Sequence, residues 1–187
     1  MFQIRIHGRG GQGVVTAAEI LSIAAFEEEK HAQAFPSFGS ERMGAPVTAF
    51  CRIDDKEIRL REPVMSPDAL IVQDTTLLHQ VDLFQGLDTR IGYLIINTRH
   101  RWDHLGIDEY VNNFLPHHVA TVSASEWAMK YTGRPMPNIA LLGAFCALTR
   151  RVELKSLQMA VRVKFPGVIG DKNADAAAAA YDAIRLN

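Results

Sequence analysis

Phe2-Gln3-Ile4-Arg5-Ile6-His7-Gly8-Arg9-Gly10-Gly11-Gln12-Gly13-Val14-Val15-Thr16-Ala17-Ala18-Glu19-Ile20-Leu21 is the stretch that decides the fold class. Phe2, Ile4 and Ile6 alternate with Gln3, Arg5 and His7, and a period of two places one apolar face on a strand. A glycine-rich turn follows from Gly8 to Gly13. Val14, Ala17, Ala18, Leu21, Ala24 and Ala25 then recur at helical spacing. Strand, glycine turn and helix in that order begin an α/β domain.

The rhythm breaks and then returns. Lys30 to Phe35 reads as extended chain, and Pro36-Ser37-Phe38-Gly39-Ser40-Glu41-Arg42-Met43-Gly44-Ala45-Pro46 as a loop punctuated by glycine and proline. Val47 to Ile53 and Glu57 to Arg61 flank Asp54-Asp55-Lys56, which predicts a β-hairpin near 47–61 and with it a smaller antiparallel sheet. Ala69 to Val72, Ile91 to Asn97 and His118 to Val122 are short apolar runs of the kind buried in parallel sheets. Asp74-Thr75-Thr76 can cap a helix carrying Leu77, Leu78, Val81 and Leu83. Further helices are expected after Ser123-Ala124-Ser125-Glu126 to about Tyr131, from Asn138 to Ala147 and from Val152 to Val163, with Ala174 to Ala180 in an amphipathic tail. Glu27 to Glu29 read as a solvated helix end. The expected fold is α/β: one three-layer, Rossmann-like domain over 1–187, with a parallel central sheet plus the small antiparallel sheet.

Composition narrows the function. The 187 residues carry 20 Lys+Arg against 21 Asp+Glu, a net charge of -1, so the basic footprint that dominates nucleic-acid binding is missing. No apolar run is long enough to span a bilayer. No basic-then-apolar leader is seen at Met1 to Ile6, and a cytoplasmic protein is expected. Cys51 and Cys146 are too few for a zinc or iron–sulfur set, and both fall on apolar stretches, where core thiols are expected. His100 with His104, and His117 with His118, lack Cys, Asp or Glu partners at matching spacing and read as surface histidines. Asp103 and Asp108 make no convincing acid–base pair. No metal site and no complete catalytic constellation is expected.

Two loops remain. Gly8, Gly10 and Gly13 have the G-x-G-x-x-G spacing, which lets a backbone approach a ligand and aims first-turn N–H groups at an anion. A turn that only packs strand against helix is the alternative. The acidic residue a dinucleotide site needs at the end of the second strand is absent, since that strand ends at Phe35-Pro36. Arg9, inside the turn, favours an anion nearby. In the second loop Ser37, Ser40 and Arg42 could donate to phosphates, and its exposed Phe and Arg suit an interface. A loop whose Phe residues reach back to the core is the plainer reading.

The ordered set of motifs resembles the gamma subunits of pyruvate:ferredoxin oxidoreductases. It comprises Gly8-Arg9-Gly10-Gly11-Gln12-Gly13-Val14-Val15-Thr16-Ala17-Ala18-Glu19-Ile20-Leu21, then Gln33 to Val47, Ile58-Arg59-Leu60-Arg61, Pro67-Asp68, Ile71-Val72-Gln73-Asp74 and Pro135 to Phe145. The resemblance implies a share in a cytoplasmic complex of alpha, beta, gamma and delta chains that converts pyruvate and coenzyme A to acetyl-CoA and carbon dioxide, with electrons passed to ferredoxin or flavodoxin. Thiamine diphosphate and [4Fe-4S] clusters are then expected on the partner subunits, and an isolated chain without turnover. It further implies that Gly8, Arg9, Gly10, Gly11, Gln12 and Gly13, with Ser37, Gly39, Ser40, Glu41, Arg42 and Gly44, face coenzyme A or neighbouring subunits. Met43 departs from the family pattern, in which an Arg is common there. The loop Phe35 to Glu41 leans toward pyruvate over 2-oxoglutarate or a branched-chain 2-oxoacid. The competing readings are a self-sufficient dinucleotide-dependent oxidoreductase and a non-enzymatic nucleotide-binding module.

Overall fold

The computed structural model describes residues 1–37 and 43–185. Strand β1 (Phe2–Arg9) leads through the glycine turn into α1 (Val14–Phe26), and β2 (His31–Pro36) and β3 (Pro46–Asp54) follow. Next come β4 (Ala69–Val72), β5 (Tyr93–Asn97), the single turn α2 (Asp108–Val111) and β6 (Val119–Val122). Helices α3 (Ala124–Thr132), α4 (Asn138–Thr149), α5 (Leu154–Lys164) and α6 (Val168–Arg185) complete the chain. The strands form one six-stranded sheet in the order β2-β3-β1-β4-β5-β6. β1, β4, β5 and β6 run parallel, and β3 is antiparallel to both of its neighbours.

The α/β class holds, and the hairpin does not. β3 has β1 on one edge and β2 on the other, in the registers Ile4↔Cys51 and Ala34↔Cys51. No edge is left for residues 57–61, which run as irregular chain with Leu60 exposed. The antiparallel part of the fold is therefore the β2–β3–β1 half of the main sheet, and there is no second sheet among the described residues.

Alternation along the strands builds two unequal outer layers. Ile4, Ile6, Ala49, Cys51, Ala69, Ile71 and Ile95 face α1 and α4, and α5 and α6 pack into the same core. Leu70, Val72, Leu94 and Ile96 face the other way and are covered by Leu77, Leu83, Leu87, Val111 and Phe114. The expected helix over 75–83 is cut to a 3-10 turn, Thr75–His79, with Val81 exposed. Beyond it the Arg5 guanidinium donates to the Leu83 and Gln85 carbonyls at 2.8 and 2.6 Å, and these irregular residues find their partner there.

Other expectations shift in detail. The C-terminal helix is no tail, since Ala174, Ala177 and Ala180 are fully buried in the main core. Glu28 is held rather than solvated: its carboxylate accepts from the Glu153 N–H at 2.7 Å and from Lys30 Nζ at 2.8 Å. That ties the end of α1 to the start of α5.

One consequence of the topology positions the site. The chain leaves β1 toward β2 and β3, and leaves β4 toward β5 on the opposite side. The crevice beyond the carboxyl ends of β1 and β4 is therefore the point where the winding reverses, the usual place for a ligand in an open α/β sheet.

Candidate functional site

The glycine turn lies at that crevice. Gly13 caps α1 with φ 69°, a left-handed conformation suited to glycine, and any side chain there would run into the Asn138 amide. Asn138, buried at the start of α4, donates from Nδ2 to the Gly13 carbonyl at 3.3 Å. The first-turn N–H groups of α1 have no intrahelical partner and carry the positive end of its dipole, and Gly13 has no side chain with which to cap them. They border an open cleft of about 370 Å³ lined by Gly10, Gly11, Gly13, Val14, Met136 and Phe165, among others.

The polar side chains of the turn point elsewhere. Gln12 folds back, accepting from the Arg9 N–H at 2.7 Å through Oε1 and donating from Nε2 to Asp74 Oδ2 at 2.9 Å. The Arg9 guanidinium donates to Thr76 Oγ1 (2.6 Å), Gln80 Oε1 (3.0 Å) and the Gly44 carbonyl (3.0 Å), and its Nε lies 3.3 Å from Asp74 Oδ2. Thr76 in turn donates to Asp74 Oδ1 from both N and Oγ1, at 3.0 and 2.6 Å. Partial burial pushes the Asp74 carboxyl up, but the bonds from Thr76 and Gln12 and the Arg9 charge outweigh it and hold the group below its ordinary range.

The second loop joins the first through its far end. Gly10 N–H donates to the Ala45 carbonyl at 2.9 Å, Gly44 N–H donates to the Gly10 carbonyl at 3.1 Å, and the Met43 thioether lies over Gly11. Ser37 is exposed and pairs through its N–H with the Thr48 carbonyl. Gly39, Ser40, Glu41, Arg42 and Phe38 lie outside the described residues. Phe35 packs on Phe50 with ring centres 5.2 Å apart, so this aromatic of the loop's start belongs to the sheet. Of the expected residues, Gly8 to Gly13 and Gly44 come together, and Ser37 stands at the loop's other end.

Sequence reasoning missed Asp74, Thr76 and Asn138 as parts of the site. Asp74 was read as a helix cap, which it also is; its second role depends on β1 and β4 being neighbours. Gln73, next to it, is 1% exposed, and neither amide atom has a partner.

The remaining candidates stay apart from the crevice. His100 and His104 are exposed, as is His117, while His118 is half-buried, stacked on Tyr93 and 3.0 Å from the Gly92 carbonyl through Nδ1. Asp103 is exposed beside Arg101 and His104, and Asp108 sits in the first turn of α2. Both cysteines are free and buried. Among the described residues no three His, Cys, Asp or Glu side chains converge as a metal would require, and no helix is long and apolar enough to cross a membrane.

A family model for pyruvate ferredoxin/flavodoxin oxidoreductase matches residues 3–183. Pyruvate synthase subunit PorC of Methanothermobacter thermautotrophicus is 47% identical over 184 residues, spanning 98% of this chain and 96% of that one. The pyruvate/ketoisovalerate oxidoreductases common subunit gamma of Thermococcus kodakarensis is 46% identical over 97% of this chain and 96% of its own length. The crystal structure of pyruvate oxidoreductase subunit PORC from Thermotoga maritima superposes with a TM-score of 0.82 at 34% identity, over 97% of this chain and 95% of that one. The match runs from the first strand to the last helix, through both loops of the crevice, and the chain belongs to the pyruvate ferredoxin/flavodoxin oxidoreductase family.

Proposed function

We propose that the chain is the gamma subunit of a 2-oxoacid:ferredoxin oxidoreductase complex acting on pyruvate, and that its crevice meets coenzyme A. The observation that carries this reading is the joining of two loops over an uncapped helix N-terminus at the winding reversal, in a chain similar along its whole length to pyruvate synthase subunits. Coenzyme A carries several phosphate charges. Backbone N–H groups and a helix dipole suit such a group without any side-chain cation. With Arg9 and Gln12 engaged inside the turn, the contact from the first loop is by backbone, and Ser40 and Arg42 of the second loop are the side-chain donors.

In the complex, pyruvate and coenzyme A yield acetyl-CoA and carbon dioxide, and two electrons leave to ferredoxin. Thiamine diphosphate and iron–sulfur clusters supply the carbanion and electron-transfer chemistry from the alpha, beta and delta subunits. The chain's two thiols are buried on β3 and α4, and among the described residues no metal-ligating set accompanies them. Its part is to bind and orient the acyl acceptor and to hold neighbouring subunits.

Purification of the tagged chain from its native host tests the reading. The expected result is co-elution of thiamine- and cluster-bearing subunits, coenzyme A-dependent pyruvate oxidation by the complex, and none by the chain alone. Recovery of the chain free of such partners overturns it. Parallel assays with 2-oxoglutarate and branched-chain 2-oxoacids decide the substrate.

A further inference from the structure

Asp74 joins its own segment to the glycine turn and, through Arg9, to residues 44–45, three pieces of chain that are distant in sequence. Its Oδ2 takes the Gln12 amide at 2.9 Å and faces Arg9 Nε at 3.3 Å, and its Oδ1 takes Thr76 N and Oγ1. Gln12, held in this way, accepts from the Arg9 N–H inside the glycine turn. Arg9, held in the same way, reaches the Gly44 carbonyl, and Gly44 and Ala45 bond to Gly10. Both loops are therefore referenced to one carboxylate at the end of β4.

We propose that Asp74 is the positioning residue of the crevice: through Gln12 it sets the direction of the glycine-turn N–H groups, and through Arg9 it sets the approach of the second loop. The proposal rests on the reading that coenzyme A meets these loops. Arg9 is accordingly a tether between loops. Its donors are engaged by Thr76, Gln80, Gly44 and Asp74 at the edge of the cleft, which Arg9 helps to line. A glycine-rich turn needs such a brace because its own residues restrict the backbone least, and misdirected donors weaken binding of an anion more than they impede chemistry elsewhere.

The test uses the assembled oxidoreductase carrying Asp74→Ala, Asp74→Asn, Gln12→Ala and the Gln12→Ala/Asp74→Ala pair. Asp74→Ala is expected to raise the KM for coenzyme A about tenfold, the scale of one lost charge-assisted bond, and to leave kcat and the KM for pyruvate within about twofold. Asp74→Asn keeps an oxygen for Thr76 but sets an NH2 group, which cannot accept, against the Gln12 and Arg9 donors, so its KM should rise as far as that of Asp74→Ala; it carries the test if the alanine variant does not assemble. The double variant should match Asp74→Ala, because both changes break one path. An unchanged KM for coenzyme A in an intact complex, or additive effects in the pair, overturns the proposal. Amide hydrogen exchange separates this from failure of the underlying reading. Protection of residues 10–14 by coenzyme A in the wild type, with no KM change in the variants, sinks the positioning role alone. Absence of protection in the wild type sinks the coenzyme A reading and the proposal with it.

Discussion

Gly143 of α4 lies directly against the main-chain carbonyl of Ala177 of α6, and a Cβ at position 143 would occupy the space of that oxygen. The two helices cross on small residues, with Ala140 and Ala144 on one side and Ala174 and Ala180 on the other, all buried. Close approach gives the helical layer its dense packing, and α6 in turn holds α3 and α5. Gly143→Ala relieves the helix-propensity cost of glycine, roughly 1 kcal/mol, but the clash is with backbone, which cannot rotate away. The net result should be destabilisation of about 2 kcal/mol, in the range of overpacked cores. Urea unfolding of the purified chain checks it, and an unchanged midpoint would show that the crossing has slack.

His7 gives the fold an acid-sensitive point. The ring is buried on β1 with Nδ1 3.1 Å from Thr48 Oγ1 and Nε2 unpartnered. Burial, helped by the nearby Arg5 charge, lowers its pKa from 6.5 to about 3. The unfolded chain thus binds a proton that the folded chain refuses between those two values. Stability from this group is complete above the unfolded value and falls with pH below it, at up to about 1.4 kcal/mol per pH unit. His7→Phe should flatten that part of the stability curve between pH 6 and pH 4. Denaturant midpoints of both proteins across this range, with parallel slopes, would count against the assignment.

How much of this was legible in the sequence depended on range. Period-two runs and the glycine turn located β1, α1 and the parallel strands because those signals are local, and Gly8 to Gly13 stood out for the same reason. The hairpin expected near 47–61 failed on a non-local fact: Val47 to Asp54 find partners on both edges, one from residue 31 onward and one from residue 2 onward. The isolated motif carries no sign of that competition. Asp74 was visible only as a cap, since its bond to Gln12 spans 62 positions. Arg9 was readable as a cation in a turn, but its acceptors at 44, 76 and 80 come from two other segments.

The two thiols should be inert in the native state. Burial pushes the Cys51 thiol up to about 12 and raises Cys146 as well, and both side chains are closed to solvent. A thiolate is the reactive form, so neither raised pKa nor access favours attack. Treatment with a disulfide reagent at pH 8 should give no labelling of the folded chain on the minutes timescale, and two equivalents after denaturation. Rapid labelling of Cys51 would mean that β3 opens locally.

Arg52 makes the last and most specific demand on stability. It is 2% exposed on the face of β3 opposite the main core. Its guanidinium donates to the Glu62 carbonyl at 2.6 Å and to Gln3 Oε1 at 3.1 Å, and it stacks over Phe35 at 5.3 Å. These contacts hold residues 55–64, which have no strand pairing of their own, across the outer half of the sheet. Lysine keeps the charge but has neither the planar fork nor the stacking surface, so Arg52→Lys is not a mild change here. It should cost about 2 kcal/mol, the scale of a lost hydrogen bond to a charged group. The loss should be local first: faster proteolysis between Lys56 and Glu62 with β1–β4 pairing intact. Limited digestion followed by mass spectrometry reads the cut sites, and a digestion pattern identical to wild type would show that the segment is held by Val64 and the apolar contacts alone.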